Sequence, residues 1–331
     1  MAPDATHASG LTFPRETFAK ITPKAFLQAH LKQAQPTRAG GRSPEEFREQ
    51  TVNTGSLTQS NGSAVVRCGD TAIVCGVRGE ILLASDIPHP PNSDVSDEDL
   101  VETLGLLVTN VELSTGCSPA HLPGNPPGTL AQSLSHRMQA LLYNSGMIDP
   151  SALKVQYEQP STDDELEDEG TRTITKAYWT LYIDVLCIAL DGNAFDTAWT
   201  AILASLQDTL LPKAWWDPDR EGILCSPASA DARRLRLQVL PMASSFVVFT
   251  NTSSSREQGD ARSWMLGDPD TFEEDVCQES LTIVTTHDRG RPSILRTEKQ
   301  GGCTIDHHML SQCAKIAEQR FPAWQQSLRP S

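Results

Sequence analysis

Residues 46 to 80 read EFREQTVNTGSLTQSNGSAVVRCGDTAIVCGVRGE, and no other stretch limits the possible folds as much. "TVNTGSL" and "SAVVRC" are short runs with β-branched residues, each a strand candidate. Asn61-Gly62 lies between them, a pair favoured where a tight hairpin needs positive φ. Gly69-Asp70 marks a second turn. "TAIVCGV" follows as a nearly continuous apolar run, suited to a strand buried on both faces. Residues 51–78 therefore predict a three-stranded antiparallel meander. The stretch holds no evident nucleophile, metal box or phosphate loop, so it reads first as a frame.

Around it the pattern alternates between strands and helices. Residues 1–22 are poorly patterned and predict a flexible arm, and "PKAFLQAHLKQ" predicts a short helix ended by Pro36 and Gly40-Gly41. Residues 84–103 are polar and read as a loop, with "LGLLVTNVEL" as the next strand. Leu130, Leu134, Met138 and Leu141 recur at steps of three and four, a helix face. Residues 158–170 carry seven acidic residues and no basic one, which predicts a solvated, mobile insertion. "TITKAYWTLYIDVLCIAL" fits one bent strand or two. "DGNAFDTAWTAILASL" turns at Asp191-Gly192 into a helix facing inward through Phe195, Trp199, Ile202 and Leu206. Prolines 212, 218 and 227 mark a connector at 208–230. "RLRLQVL", "SSFVVF", "LTIVTT" and "SILRT" then read as strands, and Thr304 as the N-cap of a last helix with the stripe Ile305, Met309, Cys313 and Ile316. The second half thus repeats the plan of the first. The expected division is an arm (1–22), a first lobe (23–207), the connector, a second lobe (231–322) and a tail (323–331). The fold class is α+β, with helices packed on antiparallel-rich sheets.

Charge and composition exclude several functions. At −15, the chain fits badly with a free-standing nucleic-acid binder, since phosphate contacts supply most of that affinity. No apolar run approaches the roughly 20 residues of a membrane span, and "MAPDATHASG" has no signal-peptide pattern. The eight cysteines form no CxxC pair, and Cys75 and Cys187 sit in apolar runs, as in a reducing compartment. His307-His308 point about 100° apart on a helix, which does not chelate a metal, and His136 reads as a surface residue. Asp184 and Asp191 could be paired carboxylates near a strand end, but Asp191-Gly192 has a turn-forming explanation and Asp196, in the first turn of a helix, a dipole one. Trp215-Trp216, in the polar "PKAWWDP", pack either on the fold itself or on a partner subunit.

These segments in this order resemble the RNase PH family. Its N-terminal signature is similar to the opening stretch, and "RAGGRSPEEFR" resembles the preceding arginine motif, with Arg42 and Arg48 retained. "DVLCIALDGNAFDTAWTAILASL", "LPMASSFVVF", "ESLTIV" and "KQGGCTIDHHMLSQC" look like later segments of the branch that forms the ring of the RNA exosome. The resemblance spans residues 23–322 and implies a two-lobed β-α fold, ribosomal protein S5 domain 2-like. It also implies a hetero-oligomeric ring with other RNase PH-type subunits, S1/KH-type cap subunits and an associated hydrolytic exoribonuclease. Single-stranded RNA would pass through the channel, in nucleus, nucleolus and cytoplasm. No membrane, cofactor or metal is implied for this chain.

Active members of that family phosphorolyse RNA 3′ ends, with cations holding the phosphates and carboxylates beside them. Here no Lys or Arg occurs from Gly79 to His136, the region of the family's basic phosphate loop. No Asp or Glu occurs from Ala232 to Arg256, the segment where the resemblance would place catalytic aspartates. The expectation is a non-catalytic ring subunit. Arg42, Arg67 and Arg78 are available for weak RNA contacts or intersubunit salt bridges. The competing expectation is an active phosphorolytic exoribonuclease that shares its site with a neighbour.

Overall fold

The meander forms where the pattern requires it. Strands β1 (Gln50–Thr54), β2 (Gly62–Cys68) and β3 (Thr71–Leu83) pair antiparallel, with Cys68 opposite Thr71 across the Gly69-Asp70 turn. The computed structural model describes residues 14–88, 97–118, 121–122, 125–159, 172–250, 263–288, 290–302 and 305–328. The other turn differs from expectation. Gly55, not Gly62, takes the positive φ (72°) after β1. Gly62 is already in β2, because a Cβ there would collide with the Ser205 carbonyl and with Thr209. Asn61 serves as a clamp instead: its amide donates to the Leu210 carbonyl (3.1 Å) and accepts from Gly79 N–H (2.8 Å). The apolar run of β3 is not buried on both faces either. Thr71, Ile73, Cys75 and Val77 are buried, whereas Ala72, Val74 and Gly76 are half-buried.

Strands β4 (Leu107–Leu113), β5 (Lys154–Gln159) and β6 (Arg172–Ala189) complete a six-stranded sheet ordered β1-β2-β3-β6-β4, with β5 also on β6. The 18-residue β6 is one continuous strand and spans the sheet. The connector holds β7 (Leu210–Leu211) and a hairpin of β8 (Ala214–Asp217) with β9 (Gly222–Cys225). "RLRLQVL" is not a strand: only Arg233–Arg234 (β10) pairs, with β7, before an extended segment bridged once at Leu237–Ile148. A second sheet follows, ordered β12-β11-β13-β14, from β11 (Met242–Thr250), β12 (Ser263–Gly267), β13 (Glu279–Asp288) and β14 (Arg291–Gln300).

Seven helices are described: α1 (Arg15–Ile21), α2 (Pro23–Leu31), α3 (Asp97–Thr103), α4 (Thr129–Asn144), α5 (Ala194–Asp208), α6 (Thr271–Val276) and α7 (His307–Ser327). Two correct the sequence reading, since α1 lies in the expected arm and α3 in the expected loop. Helix α7 starts later than expected, with Asp306 at its N-cap, and Thr304 lies outside the described residues. So does all of the acidic insertion after Gln159. Leu130, placed on the inner face of α4, is 45% exposed, and Ala131 and Leu142 are buried there instead.

Helix α5 is the centre of the molecule. Every residue from Ala194 to Leu206 is buried, because the helix packs on β2 and β3 of one sheet and on β11 of the other. Sequence periodicity shows only its large residues; Ala198, Ala201, Ala204 and Ser205 make the rest of its surface small enough for close approach. Trp199 is fully buried and its indole N–H donates to the Pro241 carbonyl (2.8 Å). Burying such a side chain with its donor satisfied contributes about 2–3 kcal/mol.

A chain of arginines joins the parts of the fold. Arg38 is 1% exposed and donates to Glu273 Oε1 (2.7 Å), Glu273 Oε2 and the carbonyls of Glu46, Gly267 and Asp268. Arg48 grips Asp268 through Nε (2.7 Å) and Nη2 (2.9 Å), and reaches the Asp191 carbonyl (2.8 Å). Burial alone would raise the Asp268 carboxyl, but the Arg48 hydrogen bonds and charge outweigh it and hold it below the usual range. Among the described residues no helix is long and apolar enough to cross a membrane.

Candidate functional site

The N-terminus of α5 opens on a cleft of about 300 Å³ between the two sheets. Arg137 of α4, Ser245 of β11, Glu274 of α6 and Thr282 of β13 line it. Asn193 holds the turn into α5 with φ 48°, the left-handed region that Asn tolerates better than most residues. Its amide donates to Asp196 (3.0 Å) and Asp268 (2.7 Å), while its buried Oδ1 has no hydrogen-bond partner among the described residues.

Arg137 is the cation of this cleft, and it is already engaged. Nε donates to Glu298 Oε2 (2.6 Å) and Nη2 to Thr282 Oγ1 (3.1 Å), and the guanidinium lies 4.0 Å from the Phe195 ring centroid. Glu298 also pairs with Arg296. An incoming phosphate would meet a guanidinium already paired with a carboxylate that is only 16% exposed. The neighbouring cleft, about 670 Å³ along β4 and the residues before α4, is lined by Glu112, His121, Asn125 and Gly128, and among the described residues by no Lys or Arg. The run without cations between Gly79 and His136 therefore has a spatial counterpart.

The carboxylates are arranged differently from expectation. The segment from Ala232 to Arg256 indeed supplies none, yet the cleft is not free of acids. Glu274 enters from α6, an element the pattern reading missed because six residues show no helical period. Burial pushes its carboxyl up to about 7, against the hydrogen bond it accepts from Asn193 N–H (2.8 Å). A capping box at Asp270 and Glu273 was the available signal for α6. Asp196 is buried (1% exposed) and accepts from Ser245 N–H (2.8 Å) and Ser245 Oγ–H (2.7 Å). Burial raises its carboxyl too, against Arg320 and those hydrogen bonds. It ties α5 to β11, a larger part than a helix-dipole residue.

The residues singled out from sequence are not brought together. Arg42 turns inward to the Asp268 carbonyl (3.1 Å) and carboxylate (3.2 Å). Arg67 on β2 is exposed and makes no ion pair among the described residues. Arg78 on β3 is exposed, pairs with Glu80 (3.2 Å) and lies 5.5 Å from the Tyr182 ring centroid. Trp215 is 40% exposed; Trp216 is half-buried, with the Lys176 ammonium 4.9 Å from its ring centroid. No group of three or more His, Cys, Asp or Glu suited to a metal occurs among the described residues.

Residues 46–212 match the 3′ exoribonuclease family, domain 1, RNase PH. The chain is 34% identical over 311 residues to the "Exosome complex component rrp43" of Schizosaccharomyces pombe, covering 94% of this chain and 97% of that protein. It is 28% identical to the "Exosome complex component Rrp42" of Methanothermobacter thermautotrophicus, over 86% of this chain and 87% of that one. Among solved structures it is similar to an Archaeoglobus fulgidus exosome with RNA bound to the active site. That likeness has a TM-score of 0.66 at 21% identity, over 95% of this chain and 100% of that one, and bears on the fold alone.

Proposed function

Since the chain belongs to the RNase PH family of 3′ exoribonucleases, we propose that it is a non-catalytic wedge of an exosome-type ring. In this reading it forms part of an RNA-conducting channel with other RNase PH-type subunits, beneath S1/KH-type caps, in the nucleus, nucleolus and cytoplasm. RNA is degraded or trimmed from the 3′ end by an associated hydrolytic exoribonuclease. The similarity to an exosome component over nearly the full length of both chains supports the assembly role.

The observation that carries the non-catalytic part is the Arg137–Glu298 pair. Phosphorolysis brings inorganic phosphate against an RNA phosphodiester, and two such anions need uncompensated positive charge close by. Among the described residues one guanidinium lines this cleft, and its charge is partly compensated by Glu298, which it shares with Arg296. The test is reconstitution with candidate ring subunits, followed by native mass measurement and an RNA-decay assay in phosphate. The expected result is a stoichiometric ring that releases no nucleoside diphosphates unless a competent subunit or nuclease is added. Phosphate-dependent nucleoside diphosphate release that is lost on substituting Arg137 here would overturn the reading in favour of a shared active site.

A further inference from the structure

Three arginines that lie within the fold each meet a carboxylate: Arg38 meets Glu273, Arg48 meets Asp268 and Arg137 meets Glu298. Arg320, on α7, does not. Its guanidinium packs over the Phe47 ring, 3.7 Å from the centroid, and no carboxylate oxygen of the described residues comes within 4.0 Å of it. Nη1 donates to Ser244 Oγ (2.7 Å) and to the Ala243 carbonyl (3.4 Å). Nε and Nη2 have no acceptor among the described residues, yet neither is sealed from solvent. Burial pulls the guanidinium below its ordinary value, against the charges of Asp196 and Asp268, and an arginine stays protonated even so. The fold thus fixes a cation in place and leaves one edge of its donors unused. Arg320 lines a cleft of about 530 Å³ between the start of β1 and the last turns of α7. Phe47, Ala323 and Trp324 supply the apolar part of its lining. Gln50 adds an amide whose Oε1 already accepts from Thr200 Oγ–H (3.0 Å), so its N–H donors are left over. Arg48, also in the lining, is spent on Asp268 and the Asp191 carbonyl. Glu49 lines the cleft too, exposed and in no ion pair among the described residues.

We propose that this cleft binds a carboxylate carried on an apolar stem, the carboxylate on Nε–H and Nη2–H of Arg320 and the stem against Phe47 and Trp324. That edge of a guanidinium offers two parallel N–H groups, the spacing of the two oxygens of a carboxylate. One cation without a contact partner, with Glu49 nearby, suits a single negative charge. A phosphate dianion would meet the Glu49 charge with no second free cation to offset it. The carboxylate comes from a small free acid or from an Asp or Glu side chain of a neighbouring chain; the chemistry that holds it is the same. The cleft shares no lining residue with the Arg137 cleft, and the proposal does not rest on the ring assignment.

The experiment is a ligand-observed NMR titration of phenylacetate, and of neutral phenylacetamide, with the full chain. Phenylacetate should bind and phenylacetamide should not. Arg320→Met keeps an apolar stem over Phe47 and removes the charged donors, and should weaken binding about tenfold or more. Ala323→Glu acts from an exposed position one helical turn along α7 and places a carboxylate beside Arg320. It should abolish phenylacetate binding without lowering the melting temperature. Lys315→Met removes a charge from an exposed position on the same helix and should leave binding unchanged. No phenylacetate binding by the wild type overturns the proposal, as does equal binding by Arg320→Met or by phenylacetamide. So does inorganic phosphate that displaces phenylacetate more strongly than acetate does. If Arg320→Met fails to fold, Ala323→Glu decides, and binding retained in that variant overturns the proposal. Adding candidate ring subunits separates the two sources. Loss of phenylacetate binding then assigns the carboxylate to a neighbour's side chain, and retained binding assigns it to a free acid.

Discussion

Arg38 and Arg137 each reach from the first half of the chain to a glutamate in the second, yet they are built to different ends. All five N–H donors of Arg38 have acceptors, and neither side chain of the Arg38–Glu273 pair is exposed. Arg137 has hydrogen bonds through Nε and Nη2, remains 17% exposed, and faces a cleft that also holds the unpartnered Asn193 Oδ1. A saturated guanidinium can only hold the fold together; an unsaturated one beside open space is what a ligand site needs. The sharpest way to break this distinction is Arg38→Ala. It strands the buried Glu273 carboxylate and should cost about 3–5 kcal/mol in urea unfolding. Arg38→Met/Glu273→Leu should recover only part of that loss, because the carbonyls of Glu46, Gly267 and Asp268 stay without their donor. A cost under about 1 kcal/mol for Arg38→Ala would show that the two sites do not differ in kind.

The same comparison predicts opposite responses to pH. Asp268, in the arginine network, has a folded pKa below its unfolded value. Its contribution is present above the unfolded carboxylate range and is lost as pH falls through the folded pKa. Glu274, in the cleft, has its folded pKa raised to about 7. Between the unfolded value near 4.3 and 7 the folded state binds more protons, so stability falls as pH rises through that window. Glu274→Gln removes this dependence. At pH 8 the variant should be more stable than the wild type by on the order of 3 kcal/mol, and near pH 4 the two should melt together. Equal gains at both pH values would mean that packing, not ionisation, separates them.

The meander, β6, α5 and the absence of cations before α4 were all legible in the sequence, because each rests on local pattern. What was not legible depends on approach between distant segments. Asn61-Gly62 reads as a hairpin turn, but Gly62 is reserved for the close passage of Ser205 and Thr209. Arg38 carries no signal at all until Glu273, 235 residues later, is brought to it. Asp196 reads as a dipole residue until β11 supplies Ser245. Helix α6 is too short to show a period, and so the acid that the cleft does contain was sought in the wrong segment.

The smallest effect is the most informative about function. A double-mutant cycle of Arg137→Met with Glu298→Gln should give a coupling of about 1–2 kcal/mol, below the loss at Arg38 because the pair is less buried and its donors are not all used. Under the proposed function, the Glu298 carboxylate occupies the place of an anion beside Arg137. Inorganic phosphate should therefore leave the melting temperature of the wild type unchanged against a chloride control of equal ionic strength. In Glu298→Gln, phosphate should raise it, since binding to the folded state alone stabilises by mass action. If phosphate instead stabilises the wild type as strongly as the variant, Glu298 does not block the cleft. Arg137 would then be a working anion site rather than one filled by a carboxylate, and the shared active site would become the better account of this chain.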